Sequence, residues 1–226
     1  MAPLPTAEAG ATVDGRTASG AAALQLVGLR CVRAKRVLFS DLSLSIPGGH
    51  VLRVQGANGA GKTSLLRMIC GLLSPHEGQV LWHGRPINTL REEYGRQLTF
   101  FGHAIGVKPE LTALENLQVL MALSGFKPDT AAALLALQNA GLAGHEHALV
   151  RTLSQGQRRR AALARLMLVT SPLWVLDEPF NALDQTAIQW LLGLITAQAA
   201  RGGIVVLTSH QSVALDPTTA QLDLAL

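Results

Sequence analysis

The chain has 226 residues, 48% of them hydrophobic and only 15% charged, which suits a sizeable core in one domain or two closely packed lobes and excludes a disordered chain. Nineteen Lys and Arg against fifteen Asp and Glu leave a formal charge of +4, too little for a polybasic nucleic-acid protein, so no nucleic-acid partner is expected. The two cysteines, Cys31 and Cys70, exclude a disulfide framework, and Arg165 interrupts the longest apolar run before it reaches the roughly 18–20 residues of a spanning helix.

Residues 1–22, rich in Ala, Gly, Thr and Pro and carrying Glu8 and Asp14, lack the basic start and continuous apolar stretch of a signal peptide. They are expected to form a mobile extension on a cytoplasmic protein. Short strands follow. Residues 24–29 alternate weakly, Val37 and Phe39 lead into Leu42, Leu44 and Ile46, and Pro47-Gly48-Gly49 makes a turn. His50–Gln55 reads as a strand that stops at Gly56, and from Lys62 the period turns helical, with Leu65, Leu66, Ile69, Leu72 and Leu73 on one stripe. Strand patterns at 79–82 and 98–101 precede a stretch of helical spacing over 112–150, broken at Gly125, Pro128 and Gly141. Cys70 lies in apolar surroundings and reads as core packing. Unbroken apolar runs at 173–176 and 204–207 suit strands buried on both faces of a parallel sheet. A β-rich start, a helical middle and an α/β finish predict an α/β core with a helical insertion.

Three strings carry chemistry. Gly56-Ala57-Asn58-Gly59-Ala60-Gly61-Lys62-Thr63 matches the phosphate-binding loop G-x-x-x-x-G-K-[ST], between a strand and a helix as that motif requires. Its glycines let consecutive N–H groups turn inward on phosphate oxygens, Lys62 would neutralise the β- and γ-phosphates, and Thr63 would offer its hydroxyl to Mg²⁺. Leu173-Trp174-Val175-Leu176-Asp177-Glu178-Pro179 puts two carboxylates at the end of a buried strand, where ligands sit in open α/β sheets. Asp177 would serve Mg²⁺ through water, and Glu178 would orient and polarise the attacking water. Leu153-Ser154-Gln155-Gly156-Gln157 leads into Arg158-Arg159-Arg160 with a capping-box pattern at Ser154 and Gln157. Two readings stay open for it: a helix N-terminus offered to a γ-phosphate, or a capped helix with a basic, solvated first turn.

These strings, followed by Ala182-Leu183-Asp184 and by His210 after an apolar strand, stand in the order of the ATP-binding cassette family, and the sequence resembles that family over roughly residues 23–215. The resemblance implies an α/β fold: a P-loop NTPase cassette over 23–226, with an N-terminal antiparallel β subdomain and a helical subdomain inserted at roughly 104–165. It implies ATP and Mg²⁺ as ligands, Ser64 beside Thr63 in the nucleotide site, and Glu178 and His210 as catalytic residues. A second copy of the chain would face the first head to tail. Ser154, Gly156 and Gln157 of one copy would then contact the γ-phosphate held by the other, with Asp184 linking the two sites.

His103 stands where most cassettes carry the Gln that reaches Mg²⁺ and the attacking water. Gln155 replaces the commoner Gly, and Asn181 replaces the commoner Ser before Ala182. No aromatic residue stands ahead of the first strand pair for the adenine ring, so Arg33 or Arg36 is expected to stack there through its guanidinium.

Arg36-Val37-Leu38-Phe39-Ser40, Phe100-Phe101-Gly102-His103 and Glu110-Leu111-Thr112-Ala113-Leu114-Glu115-Asn116-Leu117 further resemble the ATP-binding subunits of cytochrome c biogenesis haem exporters, as does the short stretch after His210. That resemblance implies integral-membrane partners from the cytochrome c maturation system and a peripheral place on the cytoplasmic face of a bacterial inner membrane. A cassette serving another exported substrate, a drug or a lipid, is the alternative. A GTPase or small-molecule kinase would share the phosphate loop but not Leu153–Gln157.

Overall fold

The computed structural model describes residues 12–14, 22–126, 129–209 and 214–226. A short strand β1 (Thr12–Asp14) precedes a long hairpin of β2 (Ala22–Arg33) and β3 (Arg36–Pro47). The hairpin turns on Ala34 and Lys35, both at positive φ (48° and 64°), which is the twist that two-residue hairpin loops select. Arg33 and Arg36 are thereby set opposite each other at its tip. The turn at Gly48 and Gly49 feeds β4 (His50–Gln55), and α1 (Lys62–Ile69) follows the phosphate loop. The helical stripe stops earlier than its apolar spacing suggests. Gly71 adopts φ 70° just past the Cys70 cap, so Leu72 lies beyond the helix and is 64% exposed. Cys70 is buried as expected, and burial pushes its thiol up from the ordinary range.

β5 (Glu77–Trp82) and β6 (Arg85–Pro86) complete a four-stranded antiparallel sheet in the order β3-β2-β5-β6. Two short helices, α2 (Ile87–Leu90) and α3 (Glu92–Arg96), lead to β7 (Leu98–Phe101). The helical part comprises α4 (Ala113–Leu123), α5 (Thr130–Leu137) and α6 (Gln155–Leu163), the last running on as a 3-10 turn over Ala164–Met167. Buried Asn116 stitches the entry loop to α4, accepting from Lys108 N–H at 2.6 Å and donating to Lys108 O at 2.9 Å.

β8 (Leu173–Leu176), α7 (Gln185–Ala200), β9 (Ile204–Thr208) and β10 (Ala220–Ala225) finish the chain. The large sheet runs β1-β10-β4-β9-β8-β7, parallel throughout except for β1. Every residue of β8 and β9 is buried. Leu173, Val175, Ile204 and Val206 face α1 and the antiparallel sheet, whereas Trp174, Leu176, Val205 and Leu207 face the helical part and α7. Full burial stabilises each such side chain by about 1.5–3 kcal/mol, so the two-sided core anchors the C-terminal ends of these strands. Of the stretch expected to be a mobile extension, Thr12–Asp14 instead pairs antiparallel with β10, covering what would otherwise be an open sheet edge. The remainder of 1–21 lies outside the described residues.

Candidate functional site

The phosphate loop sits between the end of β4 and the start of α1, as its sequence requires. Gly61 stands at the head of α1 with φ 111°, and a Cβ there would lie 3.1 Å from the Phe39 ring and 3.2 Å from Leu38 Cβ. Only glycine fits that backbone against the hairpin. No side chain caps the first turn of α1, which leaves the positive end of the helix to an anion. Lys62 folds back over the loop, its Nζ donating to Gly56 O at 2.6 Å and to Ala57 O at 3.3 Å. Ala60 N–H closes the turn on Ala57 O at 3.2 Å.

The strand-end carboxylates meet this loop. Thr63 Oγ1 donates to Asp177 Oδ2 at 3.0 Å, and Thr208 Oγ1 donates to Asp177 Oδ1 at 2.8 Å. The Asp177 N–H donates to Phe101 O at 2.7 Å, and Asp177 is only 3% exposed. The Glu178 N–H donates to Thr208 Oγ1 at 2.8 Å, while Glu178 itself has φ 51°, a left-handed conformation that costs a non-glycine residue about 1–2 kcal/mol. Ala57, Asn58, Gly59, Gly61, Lys62, Thr63 and Ser64 line one cleft with Asp177 and Glu178, its volume about 370 Å³. Arg33 and Leu38 of the hairpin form another wall. Of the two arginines considered for stacking on a base, Arg33 is thus the one that lines the cleft.

The α6 end is built separately. Ser154 Oγ accepts from Gln157 N–H at 3.2 Å, and Gln157 Oε1 accepts from Ser154 N–H at 2.9 Å, a complete capping box. Ser154, Gly156 and Gln157 do not line the cleft of their own chain. A Cβ on Gly156 would lie 2.7 Å from Ala182 O. The basic run behind the cap is not a solvated turn throughout. Arg159 is 7% exposed and reaches the Glu178–Pro179 carbonyls, so its burial is set by a loop twenty residues away in sequence. Asp184 caps α7, its Oδ1 accepting from Ala187 N–H at 2.8 Å. His103 follows β7, exposed and apart from the lining of the cleft. His210 lies outside the described residues.

Thr208, Arg159 and Arg33 are participants that the sequence pattern leaves unmarked or undecided. A lone Thr at the end of an apolar strand carries no signal, although its position beside the two carboxylates in the sheet follows from the parallel pairing of β8 and β9.

This arrangement, a glycine loop and two strand-end carboxylates beside an inserted helical part, is that of an ATP-binding cassette. Residues 39–181 match the family model described as ABC transporter, and the chain belongs to that family. Among solved structures, a putative ABC transporter ATP-binding protein from Pyrococcus furiosus superposes with a TM-score of 0.76 at 26% identity, covering 88% of this chain and 96% of that one. A bacterial ABC transporter cassette solved as a dimer superposes with a TM-score of 0.69 at 25% identity, covering 83% and 88%. In sequence, the chain is similar to the cytochrome c biogenesis ATP-binding export protein CcmA of Nitrosospira multiformis, 47% identical over 190 residues that span 84% of this chain and 92% of the relative.

Proposed function

We propose that this chain is the ATP-hydrolysing subunit of a membrane ABC transporter, powering haem export or an associated step of c-type cytochrome biogenesis. The observation that carries the catalytic part is the convergence of Lys62, Thr63, Asp177 and Glu178 on one cleft. The pathway rests on similarity to the cytochrome c biogenesis export proteins.

The loop N–H groups and Lys62 bind the triphosphate, and the first turn of α1 adds its dipole. Thr63 and Asp177 place two hard oxygen donors within 3.0 Å of each other. That set fits Mg²⁺, which takes one or two protein oxygens and completes its shell with phosphate and water. Bound there, the ion would neutralise charge on the β- and γ-phosphates. Glu178 accepts a proton from the attacking water, and His210 contacts the γ-phosphate; His103, exposed and outside the cleft lining, would have to move inward to reach Mg²⁺ and that water. Two copies pair, a reading supported by a neighbour solved as a dimer; in the head-to-tail arrangement proposed here, Ser154, Gly156 and Gln157 of one complete the nucleotide site of the other and Asp184 connects the pair. No helix among the described residues is long and apolar enough to cross a membrane. By similarity to the cytochrome c biogenesis export proteins, other chains supply the membrane path, and the cassette works on the cytoplasmic face as a peripheral subunit.

Glu178→Gln is expected to bind ATP yet hydrolyse it at least about 100-fold more slowly, and an unchanged rate would remove the general-base assignment. The same variant serves as a trap in an affinity pull-down from detergent-solubilised membranes. Recovery of cytochrome c maturation membrane proteins is the expected result. An unrelated permease would overturn the pathway while keeping the motor, and no membrane protein at all would count against a transporter.

A further inference from the structure

The backbone of Glu178 is gripped from two directions. Its N–H donates to Thr208 Oγ1 at 2.8 Å. Its carbonyl accepts from Arg159 Nη2, and the next carbonyl, Pro179 O, accepts from Arg159 Nε at 3.1 Å. The guanidinium that collects both carbonyls comes from α6, is 7% exposed, and lies 5.1 Å from the centroid of the buried Phe101 ring. Phe101 is itself the acceptor for Asp177 N–H at 2.7 Å, so the arginine rests on the same strand end that sets the carboxylates.

Burying a guanidinium is costly, and burial pulls the Arg159 pKa down while the Glu178 and Asp177 carboxylates pull it back. The hydrogen bonds, however, go to main-chain carbonyls. A buried cation spent on two peptide groups is a device for fixing a backbone, and the backbone it fixes is at φ 51°. Such a conformation persists where its surroundings over-determine it, and such positions cluster at active sites.

We infer that Arg159 is a positioning residue for hydrolysis: it holds the Glu178 peptide in the rotated conformation that directs the carboxylate into the nucleotide cleft, and it ties that peptide to the helix that begins at Ser154. The inference rests on Glu178 being the general base. Its consequence is mechanical. Ser154 and Arg159 stand at opposite ends of little more than one turn of α6. Any shift of that helix as its N-terminus closes on the nucleotide of a second copy therefore pulls on the Glu178 carbonyl of its own copy.

The test is steady-state ATP turnover of the purified full chain, with far-UV circular dichroism and thermal unfolding giving the folded fraction. Arg159→Met keeps an unbranched stem over Phe101 and removes both donors. Its kcat per folded molecule should fall about 10- to 100-fold with the KM for ATP within about twofold of wild type. Arg159→Lys, which keeps the charge but holds its donors on a single nitrogen, should recover part of that loss. Added to Glu178→Gln, Arg159→Met should change the residual rate by less than about twofold, because both act through one carboxylate. A kcat within about twofold of wild type for Arg159→Met, or losses that multiply fully in the double variant, would overturn the assignment. If Arg159→Met does not fold, the Lys variant and its double with Glu178→Gln carry the same criteria. Failure of the general-base reading is seen separately, as turnover that survives Glu178→Gln alone.

Discussion

The phosphate loop and the α6 N-terminus both combine glycine with a helix start, yet they are built in opposite ways. The loop is secured by partners remote in sequence: Asp177 reaches Thr63 across 114 residues and Thr208 across 31, and the hairpin residue Phe39 packs on Gly61. The α6 cap is made locally, through two reciprocal hydrogen bonds across three residues, and Ser154 is exposed, even though the turn behind it meets remote partners at Ala182 and the Glu178–Pro179 carbonyls. A site made of remote contacts exists only when the whole fold does, and it is then rigid and turned inward. A site made of a local cap needs little from the fold and can face outward, where a second molecule can reach it.

The largest effect expected from breaking this contrast is at Lys62. Lys62→Ala removes the loop's only lysine and should weaken ATP binding on the order of 100-fold or more by titration calorimetry. Retained affinity would show that the loop backbone suffices. Thr208→Val is the next. It keeps the shape but leaves buried Asp177 without one donor and the Glu178 N–H without its acceptor, which should cost about 2–3 kcal/mol in urea unfolding and lower turnover as well. Ser154→Ala should cost only about 1 kcal/mol by thermal melting, with Ser154→Thr recovering most of it. A loss as large as that of Thr208→Val would mean the α6 end is not local after all.

The smallest effect is at the other capping box of the helical part. Glu115 accepts from the Thr112 N–H at 2.8 Å and from its hydroxyl at 2.9 Å, and these bonds hold its carboxyl below the usual carboxylate range. A carboxyl with a lowered folded-state pKa contributes stability that is fully present above its unfolded value of about 4.3 and fades as pH falls through the lowered value. Stability measured by urea unfolding should therefore drop slightly more steeply below about pH 4 in wild type than in Glu115→Gln.

Much of the parallel sheet and the phosphate loop is legible in the amino-acid sequence alone. His50–Gln55, Leu98–Phe101 and Leu173–Leu176 are strands at the bounds their patterns indicate, and α1 begins at Lys62. A four-residue apolar run such as Leu173–Leu176 is too short for a helix and suits a strand buried on both faces, and the glycine loop must join a strand to a helix. β10 alternates polar and apolar over Gln221-Leu222-Asp223-Leu224, but so short a run, with only two leucines buried, is a weak signal, and its place in the sheet follows from pairing with β4. α7 escapes for a related reason. Ala187, Leu191, Ile195 and Ala199 keep a four-residue spacing on its buried face, but apolar Ile188, Trp190 and Leu194 lie off that face and Gln198 is buried on it, which blurs the stripe. At the site, the burial of Arg159 and the positive φ of Glu178 depend on each other across nineteen residues, and no local pattern carries that.

Gly156 passes so close to Ala182 O, 2.7 Å from where a first side-chain carbon would stand, that its identity is dictated twice over. A glycine in a capped helix turn reads as clearance for a visiting phosphate, yet the nearest obstacle here is a carbonyl of the same chain, in the segment that leads from Glu178 to Asp184. Adding one methyl group at 156 would wedge α6 away from that segment before any nucleotide arrived. The genetics of this position therefore report on a seam inside one subunit as well as on the contact between two, and a second-site change that relaxes the 180–184 turn is where a suppressor of Gly156→Ala should be sought.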